Sequence, residues 1–145
     1  MNMMPWILVL TLFFLQVQTS NTRNQQAAYL SAQASTIATN MMVYKSAATA
    51  YATANPTYTG SIADSSLSLP TWFTKVQGVS HYITGGAAYV YYTAATPGLA
   101  DQLLRMTNNS ITTGFAHGGQ LVNPFVYTTS ISLPATIPEG AVVLF

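Results

Sequence analysis

From Leu30 to Tyr51 the chain repeats one spacing: Leu30, Ala34, Ile37, Met41, Tyr44, Ala48 and Tyr51 stand four, three, four, three, four and three residues apart. Such a series shares one face of an α-helix and cannot share a face of a strand. The alanines around it favour the helix, and Asn55-Pro56 ends it, because the residue before a proline is pushed out of the helical region. The stripe is narrow and flanked by Ser, Thr, Asn and Gln, not by the Glu and Lys that select coiled-coil partners. Seven positions thus form a candidate packing or assembly stripe. The simpler reading lays them on the protein's own sheet, and the alternative pairs them with another subunit as a homo-oligomer. Whether Ala34, Met41 and Ala48 are covered within one chain separates the two.

The stripe continues a longer feature, since no acidic residue occurs before Asp64. The run from Met3 to Val17 is apolar except for one threonine and one glutamine, and it includes Trp6, Ile7, Leu8, Val9, Leu10, Leu12, Phe13, Phe14 and Leu15. At helical rise these residues cover roughly 22 Å of a hydrocarbon core about 30 Å thick, and neutral Gln16 to Thr22 extend the rod into the headgroup layer. Pro5 suits a helical first turn, where its missing N–H costs nothing. No positive residue precedes the run and no A-x-A frame follows it, so the expectation is an uncleaved signal-anchor in contact with membrane lipid. A cleaved signal and a buried core helix are the alternatives. The chain is accordingly divided into an anchor over 1–22, an amphipathic helix over 23–55 and a globular α+β domain over 56–145. With the amine inside, the body faces the periplasm of a bacterial inner membrane.

Composition narrows the function classes. Half of the 145 residues are hydrophobic, enough for one real core, but only 5% are charged. Arg23, Lys45, Lys75 and Arg105 are scattered, so the counterion-displacing patch that nucleic-acid binding requires is missing. With no cysteine, disulfides, thiolate metal sites and cysteine nucleophiles are excluded.

The body reads as about six mostly antiparallel strands and one short helix. Trp72 to Val76 has β composition. Val79 to Thr84 and Ala87 to Thr93 flank Gly85-Gly86, the dipeptide of a type I′ hairpin. Thr96-Pro97-Gly98-Leu99 opens a helix with threonine as N-cap and Leu99, Leu103 and Met106 inward, stopped by Asn108-Asn109. Ile111 to Ala116, Phe125 to Leu133 and Gly140 to Phe145 supply further strands, the last an apolar terminus of the kind usually tucked into a sheet.

Chemistry is sparse. Three acids and two histidines offer at most a metal site from His81, His117 and Asp101, which no ligand spacing supports. Hydrogen-bonded strand and turn histidines are the plainer reading. No serine lies in a nucleophile elbow and no glycine pair in a phosphate loop. Trp72-Phe73 and Tyr89 to Tyr92 could stack a sugar, but core packing accounts for them better. Neither an enzyme nor a cofactor is expected.

The order of apolar lead, Ala/Gln/Ser/Thr-rich helix, Leu69-Pro70-Thr71-Trp72, glycine hairpin, Thr96-Pro97-Gly98-Leu99 and closing Ile137-Pro138-Glu139-Gly140-Ala141-Val142-Val143 resembles the PilM family of conjugative-plasmid type IVb (thin) pilus systems. The resemblance implies a structural inner-membrane component of the pilus assembly apparatus that docks other pilus-assembly proteins or pilins. A helix-first body also resembles minor pilins, and a minor pilin or pilus-tip subunit is the second reading. The sequence departs from pilins in having no charged leader ending in glycine and no acid at the fifth position of the apolar run. A small envelope enzyme or glycan-binding module is the third.

Overall fold

The computed structural model describes residues 4–145, with side chains for 22–126 and 129–145. Helix α1 spans Met4–Ala54. The candidate anchor residues Trp6 to Leu15 lie outside the described side chains. Among the described residues no helix is long and apolar enough to cross a membrane.

Along α1, residues 22–29 are exposed on every face, whereas Ala34, Ile37, Ala38, Met41, Tyr44, Ala47, Ala48 and Ala52 are buried. The buried face drifts from the seven-residue repeat. Leu30 and Tyr51 are only half-buried, while Ala38 and Ala52, outside the repeat, are fully covered. A straight helix of 3.6 residues per turn rotates about 20° per heptad against a 3.5 repeat, which turns Tyr51 outward and brings Ala52 in. The helix stops at Asn55, whose N–H and Nδ2 both bond the Tyr51 carbonyl at 3.0 Å.

Six antiparallel strands form one sheet: β1 Val79–Thr84, β2 Ala87–Tyr92, β3 Thr113–His117, β4 Gln120–Asn123, β5 Tyr127–Ser132 and β6 Val142–Leu144, in the order β1-β2-β6-β3-β4-β5. Gly85 and Gly86, at φ 58° and 76°, make the expected hairpin turn. The terminal strand β6 is wholly buried between β2 and β3. Alternation gives the sheet two covered faces. Val79, Ile83, Val90, Val142 and Leu144 pack with α1 and helix α2 (Leu99–Met106), while Leu121, Leu133, Ile137 and Val143 form a second core on the reverse, where Tyr89 stacks on Phe145.

Several boundaries differ from those read in the sequence. Trp72 to Val76 is not a strand. The Asn40 side chain takes its backbone groups instead, donating to the Thr74 carbonyl at 2.7 Å and accepting from the Val76 N–H at 3.0 Å. The sixth strand is the unforeseen β4, the strand read as Ile111 to Ala116 starts two residues later and ends one later as β3, and that read as Phe125 to Leu133 shortens to β5. Helix α2 begins at Leu99 after a left-handed Gly98 (φ 79°), so Thr96 is not its N-cap, although its carbonyl accepts from the Leu99 N–H at 3.2 Å. Met106 is 37% exposed, and Leu104 takes the inward place expected of it.

Gly114 marks a close approach of strands. A Cβ built there would lie 2.2 Å from the Val122 carbonyl oxygen, a backbone atom that cannot rotate aside. Gly114→Ala is expected to destabilise the domain by about 2 kcal/mol or more, read as a lower urea midpoint at unchanged slope; an unchanged midpoint would mean that β3 and β4 separate freely.

Candidate functional site

The densest polar cluster joins three elements at Tyr44. The stripe places this tyrosine, fully buried, on the face of α1 that meets β1. Its ring stacks on Phe73 (centroids 6.2 Å apart), meets the His81 ring edge-on at 5.4 Å and lies 5.2 Å from the Lys75 Nζ. A buried phenol needs a partner for its hydroxyl. Tyr44 donates to Asp64, and its oxygen lies 2.8 Å from His81 Nδ1. Asp64 in turn pairs with Lys75 at 2.6 Å. His81 Nε2 accepts from the Ile62 N–H at 3.2 Å, so the proton on the neutral ring sits on Nδ1 and is donated to Tyr44. The chain of donation runs from His81 through Tyr44 to Asp64, with Lys75 donating to the same carboxylate.

The electrostatics follow from burial and neighbours. Tyr44 is pushed well above the ordinary phenol range by burial, then by its hydrogen bond to Asp64 and that group's charge. Burial acts to raise Asp64, but the hydrogen bonds from Lys75 and Tyr44 and the charges of Lys75 and His81 together hold it below the usual carboxylate value. Burial lowers His81, opposed by Asp64 and reinforced by Lys75. The cluster is therefore a neutral histidine, a neutral phenol and an ion pair at neutral pH. Among the described residues no buried side-chain polar atom lacks a partner. The cluster ties α1, the connector and β1 together.

Ala34, Ile37, Met41, Tyr44 and Ala48 are buried against the chain's own sheet and α2, with Leu30 and Tyr51 at the margins, so this stripe does not present a free face to another subunit. His81, His117 and Asp101 do not converge. His81 is held as above, exposed His117 pairs with Glu139 at 2.6 Å beside the Gly118 N–H, and Asp101 lies on α2; the described residues contain no metal-holding group of three. Trp72 is 72% exposed while Phe73 covers Tyr44. Sequence reasoning missed Asp64 and Lys75 as partners of Tyr44. The one available signal was a tyrosine at a core position, whose hydroxyl had to be answered from elsewhere.

Open grooves flank α1 where it leaves the body. One of about 400 Å³ is lined by Tyr29, Ala32, Gln33, Ile37, Val76 and Tyr92, and one of about 340 Å³ by Ser35, Thr39, Val43, Trp72 and Phe73. Tyr29 is 70% exposed.

The PilM family model matches residues 7–145. The chain is also similar to two crystal structures. One, of a PilM protein from Escherichia coli B7A, shares 26% identity, covers 78% of this chain and 90% of that one, and superposes with a TM-score of 0.59. The other, of a PilM protein from Pseudomonas aeruginosa 2192, shares 38% identity over 77% of this chain and 93% of that one, with a TM-score of 0.50. A search of curated proteins finds no significant match.

Tyr44→Phe keeps the ring and removes the hydroxyl, leaving the His81 Nδ1–H without its acceptor in a buried site. A loss of about 1–3 kcal/mol in unfolding free energy is expected, measured by urea denaturation at neutral pH, with little change in the sheet's circular dichroism.

Proposed function

Because the chain belongs to the PilM family, whose members are related to pilus biogenesis, we propose that it is a structural, non-enzymatic component of a type IVb pilus assembly apparatus used in conjugation. In this reading residues 1–22 hold it in the inner membrane, the body stands in the periplasm, and it works by docking other pilus-assembly proteins or pilins.

The observation that carries the reading is the relation of α1 to the body. One continuous helix emerges from a core in which eight of its residues are buried, and its residues 22–29 are exposed. A stalk fused to the core through one unbroken helix suits an attached spacer. With the stripe buried, surfaces open to docking include the outer strand β5 and the exposed aromatics Tyr29, Trp72 and Phe125 on a sparsely charged body. The same stalk also favours the second reading, a minor pilin or tip subunit.

Native protein expressed with its pilus system is expected in the membrane fraction at the intact mass of a chain retaining Met1 to Ser20, with loss of thin pili and of stable mating pairs on deletion. A shortened chain free in the periplasm would defeat the anchor, and recovery in sheared pili would replace the assembly role by the pilin role. Trp72→Ala is expected to shift the unfolding free energy by no more than about 0.5 kcal/mol while lowering pilus yield. An enzyme or glycan binder would instead lose a measurable turnover or sugar affinity in that variant.

A further inference from the structure

We propose that the connector between α1 and β1, residues 57–76, is an acid-releasable strap over the outer edge of β1, with His81 as its latch. The proposal is independent of the pilus role.

β1 is a terminal strand of the sheet, and the strap occupies its free side. Gly60 exchanges two hydrogen bonds of 2.9 Å with Ile83, and the Ser61 hydroxyl donates to the His81 carbonyl at 2.6 Å. Beside these contacts the Ile62 N–H donates to His81 Nε2. The far half of the strap is tied to α1 through Asn40 and through Phe73 on Tyr44, and Lys75 closes it back onto Asp64. The edge that would otherwise be open to a foreign strand is thus covered from within.

The latch follows from counting protons. Tyr44 has one hydroxyl hydrogen, and it goes to Asp64, so the hydrogen between Tyr44 and His81 belongs to Nδ1. The ring's single lone pair, on Nε2, is then the acceptor for Ile62. A second proton can bind only there, and it would set one N–H against another. Protonation keeps the Tyr44 contact and breaks the Ile62 contact, loosening the strap next to its Gly60 and Ser61 bonds.

The groups facing the imidazole are Tyr44 from α1 and Asp64 and Lys75 from the strap; β2 offers Val90 opposite it, which does not titrate. Asp64 favours the imidazolium, while Lys75 and burial oppose it, and the balance lies below the ordinary histidine value. The sign follows. Above about pH 6.5 both folded and unfolded chains carry a neutral ring; below it the unfolded chain takes the proton first, so stability falls with pH until the folded ring also protonates. The strap, whose own bond is the one lost, opens before the sheet.

Amide exchange of the full chain, corrected for intrinsic rates, is followed from about pH 7.5 to about pH 5 beside the titration of the two histidine rings. Protection at Ile62 and Gly60 is expected to fall roughly tenfold with the midpoint of His81, while the amides of β6 keep theirs. His81→Gln retains an acceptor without a titration and is expected to hold strap protection constant with pH; His117→Gln is expected to behave as the parent. Unchanged Ile62 protection across the His81 titration overturns the proposal, as does the same loss in His81→Gln. Should that variant not fold, the coincidence or separation of the two midpoints in the parent chain decides alone.

Discussion

The structure depends on seating a helix against a sheet through a tyrosine that has to be satisfied from both sides. Small residues let α1 come close: Ala34, Ala38, Ala48 and Ala52 are almost wholly covered, so the backbone of α1 rides low over β1 and β2. At that distance a full-sized Tyr44 reaches through to His81, and its hydroxyl would be a buried orphan without an answer costing about 1–3 kcal/mol. The answer comes from Asp64 and His81 together. The segment that supplies Asp64 is thereby fixed in place, and with it Phe73 over the ring and Lys75 beside the carboxylate. One packing choice on α1 thus determines the path of some twenty residues with little regular structure of their own.

A chain with so few charges uses them locally. Two of its three acids serve as fasteners: Asp64 pairs with Lys75 within the strap, and Glu139 meets His117 and the Gly118 N–H at the tip of the β3–β4 hairpin. Both pairs are partly or largely exposed, so any Coulomb energy is small in water, but the first closes the strap on itself and the second ties the loop before β6 to the end of β3. Asn40 and Asn123 do the same without charge. Asn40 clasps the 74–76 backbone, and buried Asn123 donates to the Ser110 and Thr113 carbonyls at 3.0 Å and accepts from the Phe125 N–H at 2.8 Å. Side-chain amides stand in here for backbone ladders.

That substitution explains what could be read from the sequence and what could not. The long helix, the Gly85-Gly86 hairpin, the tucked terminal strand and the α+β class were legible because each rests on local pattern: period 3.5, two left-handed glycines, an apolar terminus. The segment Trp72 to Val76 misled because β composition reports a fit to a pleated surface, whereas Asn40, more than thirty residues away, met its hydrogen bonds. Strand β4 was hidden because four residues, Gln120–Asn123, carry little alternation, and its partner β5 is irregular, the Thr129 hydroxyl reaching the Leu121 carbonyl at 2.5 Å where the register slips. The cluster at Tyr44 was half visible. The tyrosine belonged to the stripe, but Asp64, Lys75 and His81 come from positions whose meeting only the topology decides.

The same arrangement separates the parts of this molecule that can move from those that cannot. Helix α1 is continuous from its emergence to Ala54, and its buried half is keyed into β1, β2, β6 and α2, so a displacement of the stalk carries the sheet with it. An interior packed to this density does not absorb such a displacement gradually. The strap is different. Apart from a single turn of 3₁₀ helix at Asp64–Ser66 it is irregular, and it is held by a few hydrogen bonds, one ion pair and one aromatic stack rather than by the core alone. Segments of that kind open at a fraction of the global unfolding free energy. A stalk and sheet packed as one unit thus carry one fastened strip along an edge, and the fastening converges on His81, whose proton uptake burial shifts below the ordinary histidine range.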